Sequence, residues 1–437
     1  MVGWEDFAVS GESEAHLLRE LNTKGTISKP GRDAKHPTGI SYVGPWETMH
    51  DGVASAVRRH SAALRASGLP VFLQSESHTH ANLGVTTTVD YSTLPEAVLD
   101  EVGHMTQLDH ADTAVVIRHT VPTQQMLEGI VMPSGARFMS AKNIELYRAR
   151  TVLYAAFEEN KIPEQRVNLL NLLGNIWVPS LASKVWLQDS GVQVPIQVIP
   201  HPFDERDPMG HIKPKKRGSV FRFLNVSKWE PRKAQHDLIG GFLLAFGPQS
   251  PVELVLKCNP YMRCADYPED ANESIREWLK VESVQDNGWE PDNVEKHVRV
   301  IWNKIVSRQT LAQMYAESDV YVSCGRSEGF DMPAFDAKLA CRRLVHADSG
   351  APYDYRACTD IEISHHRRVK FHPWYQFPEA TWPDFDAIDV AEALFAAYNT
   401  KTEVQPLDRE FFTQAAVGLK MREACIELAP ELAEVRA

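Results

Sequence analysis

The feature that most limits what this chain can fold into is a double alternation of short apolar strands with helical stretches. From Gly39 onward, Ile40-Ser41-Tyr42-Val43-Gly44-Pro45 reads as a strand entering a loop. A helix through Val57 to Ala66 follows, with Asp51 placed to cap its start, and Gly68-Leu69-Pro70 ends it before Val71-Phe72-Leu73. Further β-rich runs stand at Ala114 to Ile117, Thr151 to Tyr154, Ile176 to Val178 and Ile196 to Ile199. A second series occupies Phe221 to Val226, Val252 to Leu256, Val298 to Trp302, Asp319 to Cys324 and Leu344 to His346. Parallel strands need long crossovers, usually helices, so this pattern predicts parallel sheets covered on both faces. Between the two series, Pro202 to Ser219 turns to His, Pro, Gly and charge, including Lys213-Pro214-Lys215-Lys216-Arg217, as an interdomain linker would.

At 437 residues the chain exceeds what one ordinary core organises, which agrees with two doubly wound α/β domains facing a cleft. The expected boundaries are an N-terminal extension at 1–36, a first domain at 37–203 and a second at 204–405. A helical segment at 406–437 follows, helical from about Arg409 to Glu431. A formal net charge of −12 argues against coating nucleic acid, which needs a positive field. The acidic start, Met1-Val2-Gly3-Trp4-Glu5-Asp6, has no apolar core of a signal peptide, and no run of about eighteen apolar residues suggests a membrane span. The six cysteines form no C-x-x-C pair and suit reduced thiols in a cytoplasmic protein. His78 with His80, and His365 with His366, lack carboxylate or cysteine partners at ligand spacing, so no metal site is expected.

Two stretches carry chemistry. Val320-Tyr321-Val322-Ser323-Cys324 reads as a buried strand, and Ser327-Glu328-Gly329-Phe330-Asp331-Met332-Pro333-Ala334-Phe335-Asp336 runs from it into a helix. Pro333 suits a first helical position, where its missing N–H costs nothing, and Gly329 would supply freedom for a sharp turn. Such a turn presents amides and the positive end of a dipole to phosphate or sugar oxygens, with Glu328 and Asp336 flanking it. Upstream, Ser227-Lys228-Trp229-Glu230-Pro231-Arg232-Lys233 follows the first strand of the second series, and a helix from about Gln235 to Phe242 comes after it. In an open α/β sheet the loop beyond a strand's C-terminal end is where ligands bind. Its basic residues suit a diphosphate.

Together these pieces resemble the retaining glycosyltransferase family 4. Phe223-Leu224-Asn225-Val226-Ser227-Lys228 through Lys233 is similar to that family's pattern of two basic residues bracketing a short loop. Ser327 to Asp336 is similar to its E-G-F-x-x-P-x-x-E element, Val198 to Asp204 to its V-I-P-x-G-x-D segment, and Val178-Pro179-Ser180 to its "vPS" strand end. The resemblance covers about Gly39 to Tyr398 and is strongest in the second half. It implies a GT-B fold of two Rossmann-like domains with a nucleotide-sugar donor, UDP- or GDP-linked, held mainly by the second. It implies that Lys228 and Lys233 neutralise the donor diphosphate, that Glu328 binds hydroxyls of the transferred sugar, and that Asp336 takes the ribose hydroxyls. The backbone of Phe330, Asp331, Met332, Pro333 and Ala334 would add sugar or phosphate contacts, Gly52 would lie near the phosphates, and His119 beside the donor sugar.

The chain departs from the family at three points. Asp336 replaces the usual glutamate and is one methylene shorter; Lys228 stands where arginine is common and offers a point charge instead of a fork. Asp331 occupies a position often held by a small residue, as a helix cap or a sugar contact. The expected reaction is transfer of a sugar to an acceptor hydroxyl with retention, without cofactor or metal, since lysines and a helix N-terminus can absorb the leaving group's charge. The acceptor, whether glycan, lipid or small molecule, has no signature. Phe157-Glu158-Glu159-Asn160 reads as an exposed helix end, Asp384-Phe385-Asp386 as surface, and Arg58, Arg59 and Arg65 as a solvated face in preference to a peripheral membrane contact. The rival readings are a nucleotide-sugar epimerase or phosphorylase of the same fold, or a non-catalytic nucleotide-sugar or glycan-binding protein.

Overall fold

The computed structural model describes residues 39–46, 52–75, 113–132, 141–212, 218–261, 264–371, 375 and 379–435. The 1–36 extension, Asp51 as a helix cap, His78, His80 and the basic run Lys213–Arg217 lie outside the described residues. The first series forms a six-stranded sheet from β1 (Gly39–Gly44), β2 (Val71–Ser75), β3 (Thr113–His119), β4 (Thr151–Tyr154), β5 (Asn175–Val178) and β6 (Ile196–Val198). Its order is β2-β1-β3-β4-β5-β6 and every pairing is parallel. The second series forms β7 (Phe221–Trp229), β8 (Val252–Pro260), β9 (Val298–Trp302), β10 (Val320–Ser323), β11 (Arg343–His346) and β12 (Ile361–Glu362). These are ordered β12-β11-β10-β7-β8-β9, again all parallel. A two-stranded antiparallel ribbon, β13 (Arg367–Lys370) with β14 (Thr381–Asp384), lies outside both sheets.

Strands covered on both faces should be apolar throughout, and β1, β4, β5, β10 and β11 are buried along their whole length. The first core gathers Ile40, Tyr42, Val57, Val71, Val115, Ile117, Tyr154 and Trp177, and it also takes Val417, Met421, Ala424 and Cys425 from the Gln414–Leu428 helix. The last segment therefore crosses back to complete the first domain. A Cβ on Gly418 would stand 2.1 Å from the Ala63 carbonyl oxygen, so the Gln414–Leu428 and Gly52–Ala66 helices meet at backbone contact. Phe203, in the crossing segment, donates its amide to the Phe412 carbonyl at 2.9 Å and ties the outgoing linker to the returning chain.

Four local expectations are corrected. Arg58 and Arg59 are not a solvated face: Arg58 is buried and donates to the Trp46 carbonyl at 2.5 Å, and Arg59 pairs with Asp207 at 3.4 Å. The 157–160 stretch is not an exposed helix end but a loop after β4 with Phe157 and Glu159 buried. Pro333 is the second helical residue of Met332–Leu339, still inside the turn where no N–H is needed. The 384–386 stretch is not plain surface: Asp386 caps the Ala387–Asn399 helix through the Ile388 and Asp389 amides, and Phe385 between the two aspartates is buried. Among the described residues no helix is long and apolar enough to cross a membrane.

Candidate active site

In the second sheet the strand order reverses direction between β7 and β10, the point where loops leaving the two strands diverge and open a crevice. The loop after β7 is the basic one, and the loop after β10 carries Glu328. Past β7 the chain makes a short 3-10 turn at Pro231–Lys233 and a left-handed residue, Ala234 (φ 50°), before the Gln235–Ala245 helix. The Gln235 side chain fastens this loop, donating to Ser227 Oγ at 2.6 Å and to the Lys228 carbonyl. Trp229 is buried with its indole N–H on the Pro268 carbonyl, 2.7 Å away. These anchors aim Lys233 toward β10. Its Nζ lies 2.5 Å from Glu328 Oε1. Lys228 points elsewhere, with its Nζ 4.3 Å from the centre of the Tyr261 ring.

The loop after β10 is shaped by two glycines and one aspartate. A Cβ on Gly325 would stand 2.2 Å from Glu328 Oε1, so only glycine lets the carboxylate fold back over the strand end. Gly329 serves close approach and not a left-handed turn, since a Cβ there would meet Ala156 Cβ at 2.8 Å and the Phe157 carbonyl at 3.0 Å. The left-handed residue is Asp331 (φ 60°), which caps the Met332–Leu339 helix by accepting from the Ala334 amide at 3.4 Å. Its other oxygen accepts from Ser323 Oγ. The helix N-terminus thus already holds a carboxylate. The Tyr355 hydroxyl donates to the Phe330 carbonyl at 2.7 Å and lies 3.2 Å from the Asp331 carbonyl, and Tyr315 donates to the Pro333 carbonyl at 2.8 Å.

Around Glu328 the charges interlock. Arg232, counted in the sequence only among the basic residues suited to a diphosphate, places Nη1 3.3 Å from Glu328 Oε1 and donates it to the Ser327 carbonyl at 2.5 Å. Its Nη2 reaches Glu230 at 2.9 Å and Glu158 at 3.2 Å. Burial works against both charges of the central pair, yet Lys233 and Arg232 hold the Glu328 carboxyl below its usual range. Glu328 in turn holds the Lys233 ammonium above its own. Burial and the neighbouring Glu328 push Asp331 up to about 6. The sequence marked Arg232 as one basic residue of this loop, but nothing in it pointed to the three carboxylates that it meets.

Asp336 does not face an open crevice. Both its oxygens accept from Arg308, at 2.5 and 2.7 Å, and Arg308 Nε also donates to Asp207, which pairs with Arg59 of the first domain. His119, at the end of β3, is buried with Nδ1 2.8 Å from the Tyr42 hydroxyl. Its ring lies near those of His60, Tyr154 and His201, and His201 meets Phe330 edge-on at 4.6 Å between centroids. Burial lowers His60 to about 4 although its ring nitrogens lie 2.8 and 3.1 Å from the Ala56 and Pro200 carbonyls. Gly52 begins its helix across the cleft from Met332, 3.7 Å from where its Cβ would stand to the sulfur. Among the described residues no group of three His, Cys, Asp or Glu side chains gathers as a metal site would.

No protein-family description matches the sequence, and no curated protein matches it either. Solved structures do. Sucrose-phosphate synthase from Thermosynechococcus elongatus aligns with a TM-score of 0.55 and 14% identity over 90% of this chain and 100% of that one. The lipopolysaccharide outer core galactosyltransferase WaaB, in its apo form, aligns at 0.53 and 13% over 89% and 99%. HepE from Anabaena, in complex with UDP and glucose, aligns at 0.51 and 12% over 91% and 98%. At these identities the likeness is one of architecture. With two parallel six-stranded sheets meeting across a cleft, the chain has the GT-B fold.

Proposed function

We propose that the protein is a glycosyltransferase that moves a sugar from a nucleotide-sugar donor to an acceptor hydroxyl, with retention of the anomeric configuration and without a metal. One observation carries the reading: Lys233 and Glu328, from two separate loops at the switch point of the second sheet, meet at 2.5 Å facing the first domain. A departing nucleoside diphosphate gains negative charge as its bond to the sugar lengthens. Lys233, backed by Arg232, is the cation positioned to meet that charge, while Glu328 would accept hydrogen bonds from sugar hydroxyls. The acceptor oxygen forms its bond to the anomeric carbon on the face from which the diphosphate leaves. The broken bond's electron pair departs with the diphosphate, whose oxygen takes the acceptor's proton. Met332 and Gly52 would border the phosphates from the two sides of the cleft, with Pro333 and the Ala334 backbone beside them, and His119, through His201 and Phe330, would border the sugar. Asp336 would reach a ribose only by giving up Arg308, and Lys228 would approach the diphosphate only by leaving Tyr261. UDP-sugars come first among the donors because the fold relative HepE is known in complex with UDP-glucose.

The test is a binding panel of UDP-, GDP-, ADP- and dTDP-glucose on the whole protein, read by thermal shift. A ligand at about 100 times its Kd adds about 2.7 kcal/mol of stability. Stabilisation by one nucleotide, followed by release of that nucleoside diphosphate in the presence of acceptor, supports transfer. Release of an altered nucleotide sugar without acceptor, dependence on inorganic phosphate, or binding with no product at all would each favour one of the rival readings.

A further inference from the structure

We propose that Arg232 and Glu158 form an interdomain clasp, Arg232 acting as a positioning residue that makes the Glu328–Lys233 pair depend on docking of the first domain. The inference rests on reading that pair as the donor site. One guanidinium is shared by three carboxylates that come from three places: Glu328 from the loop after β10, Glu230 from the loop after β7, and Glu158 from the first domain. Two of these partners are fixed. Glu230 and Glu328 are buried, and Glu230 also accepts from the Tyr375 hydroxyl at 3.1 Å. The Arg232 backbone is fixed as well: its amide donates to Tyr375 Oη at 3.0 Å and its carbonyl accepts from the Arg326 amide at 2.8 Å. Glu158 is the exception, with 42% of its side chain exposed and its backbone belonging to the other domain.

The surroundings show that this contact exists only while the domains are together. Ser327 Oγ donates to the Glu158 carbonyl, and Gly329 packs where no Cβ would fit against Ala156 and Phe157. Nearby, the Asn160 side chain pairs reciprocally with Thr381, accepting its amide at 2.8 Å and donating to its hydroxyl at 3.0 Å. If the first domain withdraws, Arg232 loses the Glu158 carboxylate and its charge falls on Glu230 and Glu328 alone. Glu328, which both cations already hold in the docked arrangement, then takes a larger share of the guanidinium's charge, and its oxygens are less available to sugar hydroxyls. Docking returns Glu158, spreads the guanidinium over three carboxylates and loosens its hold on Glu328. The clasp thus ties competence in the donor site to closure on the side where an acceptor would enter.

The experiment compares the whole protein with Glu158→Gln, Arg232→Lys, Arg232→Met and the Glu158→Gln/Arg232→Lys double variant. Donor Kd is measured by calorimetry with the nucleotide found in the glucose-linked panel, and kcat by release of the nucleoside diphosphate. Glu158 is half exposed, so its Gln variant tests the clasp without threatening the fold. Each single change is expected to lower kcat about tenfold while donor Kd moves less than about threefold, with the double variant no worse than the poorer single one, as for residues acting as one unit. Arg232→Lys should keep more rate than Arg232→Met. Effects that multiply, or that fall wholly on donor Kd, would overturn the clasp and leave the donor-site reading standing. Failure of the unaltered protein to bind any nucleotide in the panel would remove that reading and the clasp with it.

Discussion

Both oxygens of Asp336 are held by the guanidinium of Arg308, Nη2 to Oδ1 at 2.7 Å and Nη1 to Oδ2 at 2.5 Å, while Arg308 Nε grips Asp207. The residue expected to take a ribose is here the inner end of a chain of alternating charges running through Asp207 to Arg59 of the first domain. Removing the arginine would leave two largely buried carboxylates without their main cation. Breaking one side of a buried pair typically costs about 3–5 kcal/mol. Arg308 is partly solvated, so Arg308→Met is expected to cost about 3 kcal/mol, read as a lower urea midpoint. In the unaltered protein Arg308 and Arg59, working against burial, hold Asp207 below its ordinary 3.8, so its contribution is present above that pH and is lost as pH falls below it. The deficit of the variant should therefore be largest near neutrality and shrink toward about pH 3; a deficit that is flat with pH would count against the network.

Asp331 gives a pH signature of the opposite sign. Its carboxyl, at 3.8 when unfolded and about 6 when folded, binds protons more readily in the native state. Its contribution to stability is therefore greatest below 3.8 and declines as pH rises through 6, a loss on the order of 3 kcal/mol. An asparagine in its place would keep the cap and tolerate the left-handed backbone. Asp331→Asn is expected to be more stable than the original protein at about pH 8, with the advantage vanishing near about pH 4, measured by chemical denaturation at both values.

Lys233 and Lys228 occupy the two basic positions of the motif but not equivalent places. Lys233 touches Glu328, whereas Lys228 covers Tyr261. Lys233→Met is expected to lower kcat by about 10²–10³, the usual range for removing a preorganised charge-stabilising group. Lys228→Met should cost less than a tenth of that. Equal losses would mean that Lys228 swings onto the diphosphate when donor binds.

Gly418 offers a purely structural test. A methyl group there would stand 2.1 Å from the Ala63 carbonyl oxygen, backbone against which nothing can yield by rotating. Gly418→Ala gains helix propensity, yet overpacking of this kind costs about 1–3 kcal/mol. The expected result is a lower melting temperature despite the better helix former. Gly129, around which nothing lies within 4 Å, supplies the contrast: Gly129→Ala should stabilise.

Much of the fold was legible because it rests on local regularities. Short apolar runs separated by amphipathic stretches can scarcely be anything but parallel strands and crossovers, and β1, β4, β5, β7 and β10 fall where the runs stand. The loops after β7 and β10 were legible because sheet topology places them at one crevice. Arg232 was not, because its importance comes from partners at positions 158, 230 and 328 that no local spacing relates. Gly325 was missed for the same reason, and Gly329 was credited to a turn when the Ala156–Phe157 backbone is what excludes its Cβ.

By itself, then, the sequence determined two doubly wound halves, the strand ends that bear Lys233 and Glu328, and the helix that follows each, since hydrophobic period and turn chemistry act over a few residues. Only the tertiary structure decided which charges meet. It drew Asp336 to Arg308, turned Lys228 toward Tyr261, put Glu158 on Arg232 and returned the Gln414–Leu428 helix to the first core. Ion pairing and backbone approach depend on distances of a few ångströms between segments far apart in the chain, and those distances exist only once the segments have packed.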